Sequence, residues 1–271
     1  MKWTHRGPNL LLATALAGLV LVAGCTTVPV TGRKELNLVS SDQEVQLGLS
    51  SFTQLKQETP INHDPAVNAM VQRVGQRIAG VAGKDLPSAQ WEFVVFESKE
   101  ANAFCLPGGK VGVYTGILPI TQTEAGLATV LGHEIGHAVA HHGASRMTQA
   151  MATQGFGQLA GAYVGSTKYS QYQGLFMGLY GIGAQVGVEL PYSRLQESEA
   201  DHIGIVYMAR AGYQPRESVA FWQRFSEFNS QHGGSTTPSL LRTHPVDAVR
   251  IKRLEEWLPE AQAEYVNHQV H

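Results

Sequence analysis

His133, Glu134 and His137 stand in one short run, His133-Glu134-Ile135-Gly136-His137. On a helix, residues four apart project from one face, so both imidazoles can reach a single metal ion. Zn2+ is the usual guest of such a pair. Glu134 leaves the helix about 100° further round. From there it does not ligate, but it can take a proton from water beside the ion. This is the chemistry of a zinc hydrolase, most often one that cuts peptide bonds. The motif can also arise by chance. In a mostly apolar helix, however, two unpaired histidines and a glutamate are costly to bury, and a metal removes that cost.

A tetrahedral zinc site with one open position needs a third protein ligand. The three-histidine extension H-E-x-x-H-x-x-G-x-x-H requires Gly and His where this chain has Ala140 and Gly143. His141 and His142 follow at once, and His141 shares the face of His137. A third consecutive turn cannot easily reach the same ion, so both are expected to be exposed or to lie behind the ligands. Glu197-Ser198-Glu199-Ala200-Asp201 is the better source. Ser193 and Gln196 make a capping box that opens a helix there. Glu197 and Asp201 share a face at i, i+4, while Glu199 points elsewhere. One of the pair can bind the metal while the other accepts an N–H from a ligand histidine. Acids also favour the positive end of a helix for structural reasons alone; that accounts for Glu197 well and Asp201 poorly.

The elements that must position these groups are legible in outline. Thr121 and Glu124 read as a capping box for a metal helix over about 122–142, whose Leu127, Val130, Leu131, Ile135 and Val139 form an apolar pattern. Residues 42–58 and 65–82 read as helices, the second capped by Asp64 with Pro65 in its first turn. Trp91 to Phe96 reads as a strand, and 103–106 with 110–114 as a hairpin across Pro107-Gly108-Gly109. The expected class is α+β: a mainly helical domain beside a small antiparallel sheet. His244-Pro245 reads as the cap and first turn of a last helix ending near Leu258. Residues 147–190, rich in Gly, Ala and Gln with scattered aromatics, are either a helical hairpin or a lid, and 229–239 a flexible loop.

Several motifs in order carry a family resemblance: Asn102-Ala103-Phe104, Pro107-Gly108-Gly109, Val113-Tyr114-Thr115-Gly116, the HEIGH run, Glu197 to Asp201, and Arg242-Thr243-His244-Pro245. Over about residues 35 to 258 the chain resembles the gluzincin metallopeptidases related to CAAX prenyl endopeptidases, HtpX-type heat-shock proteases and Oma-type mitochondrial proteases. The resemblance implies one Zn2+ per chain held by His133, His137 and Glu197, with Glu134 as general base and Asp201 behind a ligand histidine. It implies endopeptidase activity and names no substrate. Asn102, Ala103 and Phe104 become a substrate rim, where an extended peptide could add to a sheet edge. His244 is brought near the zinc, as an oxyanion donor or as a fourth ligand that silences the enzyme; capping alone is the structural alternative. Arg242 is a further electrostatic candidate.

The N-terminus suggests a location. Lys2 and Arg6 precede an apolar stretch, Leu10 to Val22, too short to span a bilayer comfortably, and Val22-Ala23-Gly24-Cys25 resembles a bacterial lipobox. The expected organisation is a lipoprotein signal peptide over 1–24, a lipidated Cys25 with a tether over 25–40, and a peptidase domain over 41–271. That would anchor the protein by lipid in the cell envelope, on the periplasmic side of the outer membrane. Cys105 then has no disulfide partner and reads as a small buried hydrophobe. A chain of 271 residues is long enough for one sizeable core, and a net charge of −2 argues against nucleic acid. The expected function is a zinc-dependent endopeptidase acting on misfolded or misassembled envelope proteins, with polypeptide substrates and possible contact with envelope assembly machinery. The alternative is an envelope chaperone or assembly factor with latent peptidase activity.

Overall fold

The computed structural model describes residues 25–153, 170–182, 192–232 and 239–270. Residues 1–24, expected as a signal peptide, residues 154–169 and 183–191 of the glycine-rich segment, and 233–238 of the late loop lie outside the described residues. Strand β1 (Cys25–Thr27) pairs antiparallel with β2 (Lys34–Leu36). Residues 25–36 are thus a hairpin, not an extended tether, and Val28 at its turn is buried in the core.

Helix α1 (Ser41–Glu58) and helix α2 (Pro65–Ala82) follow. Asp64 caps α2 by accepting from Ala66 and Val67 N–H, so both ends of the Asp-Pro expectation hold. A three-stranded sheet is built from β3 (Glu92–Phe96), β4 (Ala103–Leu106) and β5 (Lys110–Tyr114), in the order β3-β5-β4. β4 and β5 form the expected antiparallel hairpin, but β5 pairs in parallel with β3, so the sheet is mixed. The cause is topological: successive strands reverse direction, and β5 enters between the first two. Both faces of this sheet are covered. Phe93, Val95, Ala103, Cys105, Val111 and Val113 join the main core, while Phe96, Phe104, Leu106 and Tyr114 pack with Phe52 of α1. That double burial explains why these strands read as apolar runs with little alternation.

A short helix α3 (Leu118–Thr121) leads into α4 (Glu124–Val139). The cap of α4 is Thr123, whose side chain accepts from Gly126 N–H, and not Thr121 as expected. Thr121 closes α3, donating its hydroxyl to Leu118 O, and the chain reverses at Gln122. Helix α4 also stops short of 142. His141 has φ 53°, and a new helix, α5 (His142–Thr153), begins beside it. His141 therefore leaves the face of His137 and bonds Glu44 of α1 at 2.6 Å.

The remaining elements are α6 (Ser170–Leu179), α7 (Arg194–Arg210), α8 (Arg216–His232), α9 (Ser239–Thr243) and α10 (Ala248–Val270). Phe176, Leu179 and Tyr180 are buried against the α1 side, so this described part of the candidate lid is core. The start of the last helix also differs from expectation. Asp247 accepts from Arg250 N–H at 2.8 Å and acts as the cap, whereas His244 is buried just after α9. Helix α10 continues through Pro259 because Leu254, Trp257, Ala261 and Tyr265 pack on the core on both sides of it. Among the described residues no helix is long and apolar enough to cross a membrane.

Candidate metal centre

Every residue of α4 from Gly126 to Val139 is buried, so His133 and His137 point into protein. Helix α7 lies directly against α4. A Cβ on Gly136 would come within 2.9 Å of Ala200 O, and one on Gly204 within 2.8 Å of His133 N. The two backbones meet where only glycine fits, and this closeness lets the short acids of α7 reach the histidines. The Ser193–Gln196 capping box fixes where α7 starts, with both reciprocal bonds at 3.2 Å.

Four side chains converge. His133 Nε2 lies 3.1 Å from His137 Nε2, and His137 Nε2 lies 3.3 Å from Glu197 Oε1. His244 Nδ1 lies 3.1 Å from His133 Nε2 and 2.8 Å from Glu197 Oε1. One donor atom from each of the four falls within 4.8 Å of all the others. A tetrahedral ion with bonds of about 2.0–2.1 Å holds its ligands about 3.3 Å apart. The spacing fits such an ion, and imidazole and carboxylate are donors zinc accepts. Charge points the same way. Glu134, Glu197 and Asp201 are all buried, and among the described residues one guanidinium, Arg250, faces them. Burial pushes Glu134 toward its neutral form, so Glu197 and Asp201 exceed that guanidinium by one charge, which a divalent cation would offset.

Protonation suits ligation as well. Burial, with Arg250 and the neighbouring histidines, holds His133 well below the usual histidine range against the pull of Glu197, so it is neutral. Burial likewise lowers His137. Burial alone would raise Glu197, but the Arg250 guanidinium against it outweighs burial and keeps the carboxylate ionised. Glu134 is the reverse case: burial, then the charge of Glu197, push it well above the usual carboxylate range. Its Oε1 is buried without a hydrogen bond, 3.7 Å from His244 Nε2.

Behind this cluster each histidine has a partner. His133 Nδ1 meets Asp201 Oδ1 at 2.9 Å, and Arg250 grips both oxygens of Asp201. Arg250 also stacks over Trp222, with 3.7 Å from guanidinium carbon to ring centroid, and contacts Glu197 at 2.7 Å. His137 Nδ1 meets His142 Nδ1 at 2.8 Å, and His142 Nε2 meets Glu199 at 3.0 Å. Tyr192 lies against His137 and His244, with centroids 4.0 and 4.8 Å away.

The expected residues are not all gathered here. Asn102, Ala103 and Phe104 are buried, with Asn102 donating to Gly181 O, and β4 runs beside α4 as a sheet edge among the described residues. Cys105 is buried outside the cluster, and burial raises its thiol further from ionisation. Sequence reasoning missed Arg250, Tyr192 and the role of Glu199. A buried arginine looks like any surface arginine in a sequence, and Glu199 shares no helix face with Glu197. A cavity of about 450 Å³ opens beside Glu197, walled by Tyr192, Arg194, Pro245, Val249 and Arg253 among others.

A buried histidine–carboxylate cluster on an H-E-x-x-H helix, with a free glutamate beside it, defines a metal-dependent hydrolase. Residues 65–258 match peptidase family M48, and the chain belongs to that family; it is a metalloendopeptidase. It is 36% identical to the mitochondrial metalloendopeptidase OMA1 of Schizosaccharomyces pombe, covering 87% of this chain and 67% of that one. The Saccharomyces cerevisiae protein of the same name is 32% identical over 88% and 70%. The beta-barrel assembly-enhancing protease of Yersinia pestis is 29% identical over 89% of this chain, which spans only 52% of that protein. These relatives correct one expectation. The match to mitochondrial OMA1 proteins of yeast, plants and animals conflicts with a lipid-anchored place at a bacterial outer membrane, and that location is withdrawn.

Proposed function

We propose that this protein is a zinc endopeptidase in which His133, His137 and Glu197 hold the ion, acting on misfolded or misassembled polypeptides. The observation that carries the reading is the set of donor spacings, 3.1 Å between the two histidine nitrogens and 3.3 Å from His137 to Glu197. A zinc ion held there supplies Lewis acidity toward water and the scissile carbonyl. Glu134, which has an unbonded buried oxygen, takes the proton of the attacking water and returns it to the leaving amine. Asp201 fixes the His133 tautomer by accepting its Nδ1–H, and Arg250 keeps Asp201 in place. The cavity beside Glu197 gives extended substrate an approach to the centre, whereas the edge of β4 at Asn102, Ala103 and Phe104, the expected rim, is buried and would have to be uncovered for substrate to add there.

His244 occupies the fourth corner of the donor set. From there it would either hold the ion as a fourth ligand or donate a hydrogen bond to the substrate oxygen.

Metal analysis combined with cleavage of unfolded casein tests the reading. Wild type should hold one zinc per chain and lose cleavage on chelation. Glu134→Gln should keep the zinc and lose at least about a hundredfold in turnover. Full cleavage by that variant, or a wild type that holds no metal, rejects the assignment.

A further inference from the structure

The inner end of the His137 chain lies far from α4. His142 is the first residue of α5, and Glu44 of α1 sets its place by accepting from His141 Nδ1 and from Ala144 N–H at 3.1 Å. The bonds beyond it have one consistent polarity. With His137 Nε2 facing the donor cluster, its Nδ1 carries the proton and donates to His142 Nδ1. His142 must then carry its proton on Nε2, and it donates to Glu199 Oε2. Glu199 in turn accepts from Arg33, at 2.8 Å from Nε and 2.6 Å from a terminal nitrogen, and from the Thr31 hydroxyl. Thr31 and Arg33 belong to the turn of the β1–β2 hairpin, which Val28 seats in the core. Four side chains therefore join the hairpin to a donor of the cluster, and three of them, His137, His142 and Glu199, are buried.

We propose that Arg33 is a positioning residue for the metal centre, acting through Glu199 and His142 to hold the orientation and tautomer of His137. This makes the 25–36 hairpin a strap of the site as well as a piece of packing. The proposal rests on His137 being a metal ligand. Without Arg33, Glu199 loses its one cationic partner among the described residues. His142 is then free to rotate or to present a proton at Nδ1, which opposes the Nδ1–H of His137.

Cobalt in place of zinc gives a visible spectrum that reports ligand geometry independently of cleavage. Chelator competition on folded protein should show cobalt binding to Arg33→Met about tenfold weaker than to wild type, the lower end of what partners behind a ligand contribute. The absorption bands should also shift. Arg33→Lys should recover most of the affinity, and His142→Gln combined with Arg33→Met should be no worse than His142→Gln alone, because both act on one line. Equal affinity and an identical spectrum in folded Arg33→Met overturn the proposal, even if the variant is less stable. Should Arg33→Met fail to fold, Thr31→Val, which removes one bond to Glu199, must show a smaller shift in the same direction; no shift overturns the proposal. A wild type that binds neither cobalt nor zinc instead overturns the metal-site reading itself.

Discussion

His244 stands between the proposed ligands and the proposed base. Its Nδ1 faces Glu197 and His133, and its Nε2 faces Glu134. It thus completes the proposed donor set while standing beside the proposed base. With three other donors in place, the ion does not depend on His244, so His244→Ala should leave zinc at one per chain. Turnover on a short unstructured peptide should rise severalfold if blocking is its main role. A fall in turnover with intact zinc would assign it instead to stabilising charge on the substrate oxygen. Unchanged kinetics would remove it from the mechanism. Arg250 works differently: it is completely committed to Asp201, Glu197 and the Trp222 face, and so makes burial of two acids tolerable.

Among elements, the α4–α7 contact decides the site. Gly136 and Gly204 allow the two backbones to touch, and Glu197 and Asp201 need that approach to reach the histidines. Gly204→Ala places a methyl 2.8 Å from His133 N, and backbone cannot give way as a flexible side chain can. The helices must part by several tenths of an ångström. We expect a loss of about 1–3 kcal/mol in stability, as for overpacked cores, together with weaker zinc binding. Urea unfolding and chelator competition measure the two. A variant with wild-type zinc affinity would show that the glycine contact serves packing alone.

For the whole molecule, the centre is a buried knot where α4, α7 and the start of α10 meet, with charges that one guanidinium does not balance. Metal should therefore be a large part of its stability. An ion that binds only the folded state, at a thousand times its dissociation constant, adds about 4 kcal/mol. For a domain of this size that corresponds to roughly ten degrees in Tm. Chelation should lower the melting temperature by about that much, and added zinc should restore it. An unchanged melting curve on verified metal removal would mean the knot is balanced without an ion.

What the sequence determined by itself was local: the two histidines one turn apart, the Asp64–Pro65 start, the Ser193–Gln196 box, the 103–114 hairpin and the pairing of Glu197 with Asp201 on one face. Each follows from spacing within a few residues, where backbone geometry and capping chemistry allow little choice. Its local failures were also boundary effects. Thr123 displaced Thr121 as a cap because the chain reverses at Gln122, and His141 left the helix because Glu44, far back in the chain, holds it. The resemblance had already brought His244 toward the centre, but only the tertiary structure decided which other distant groups share it: Arg250 against the acids, and Arg33 with Glu199 behind His137. Those pairings depend on how closely helices approach and which charges are excluded from water together, and no spacing along the chain encodes either.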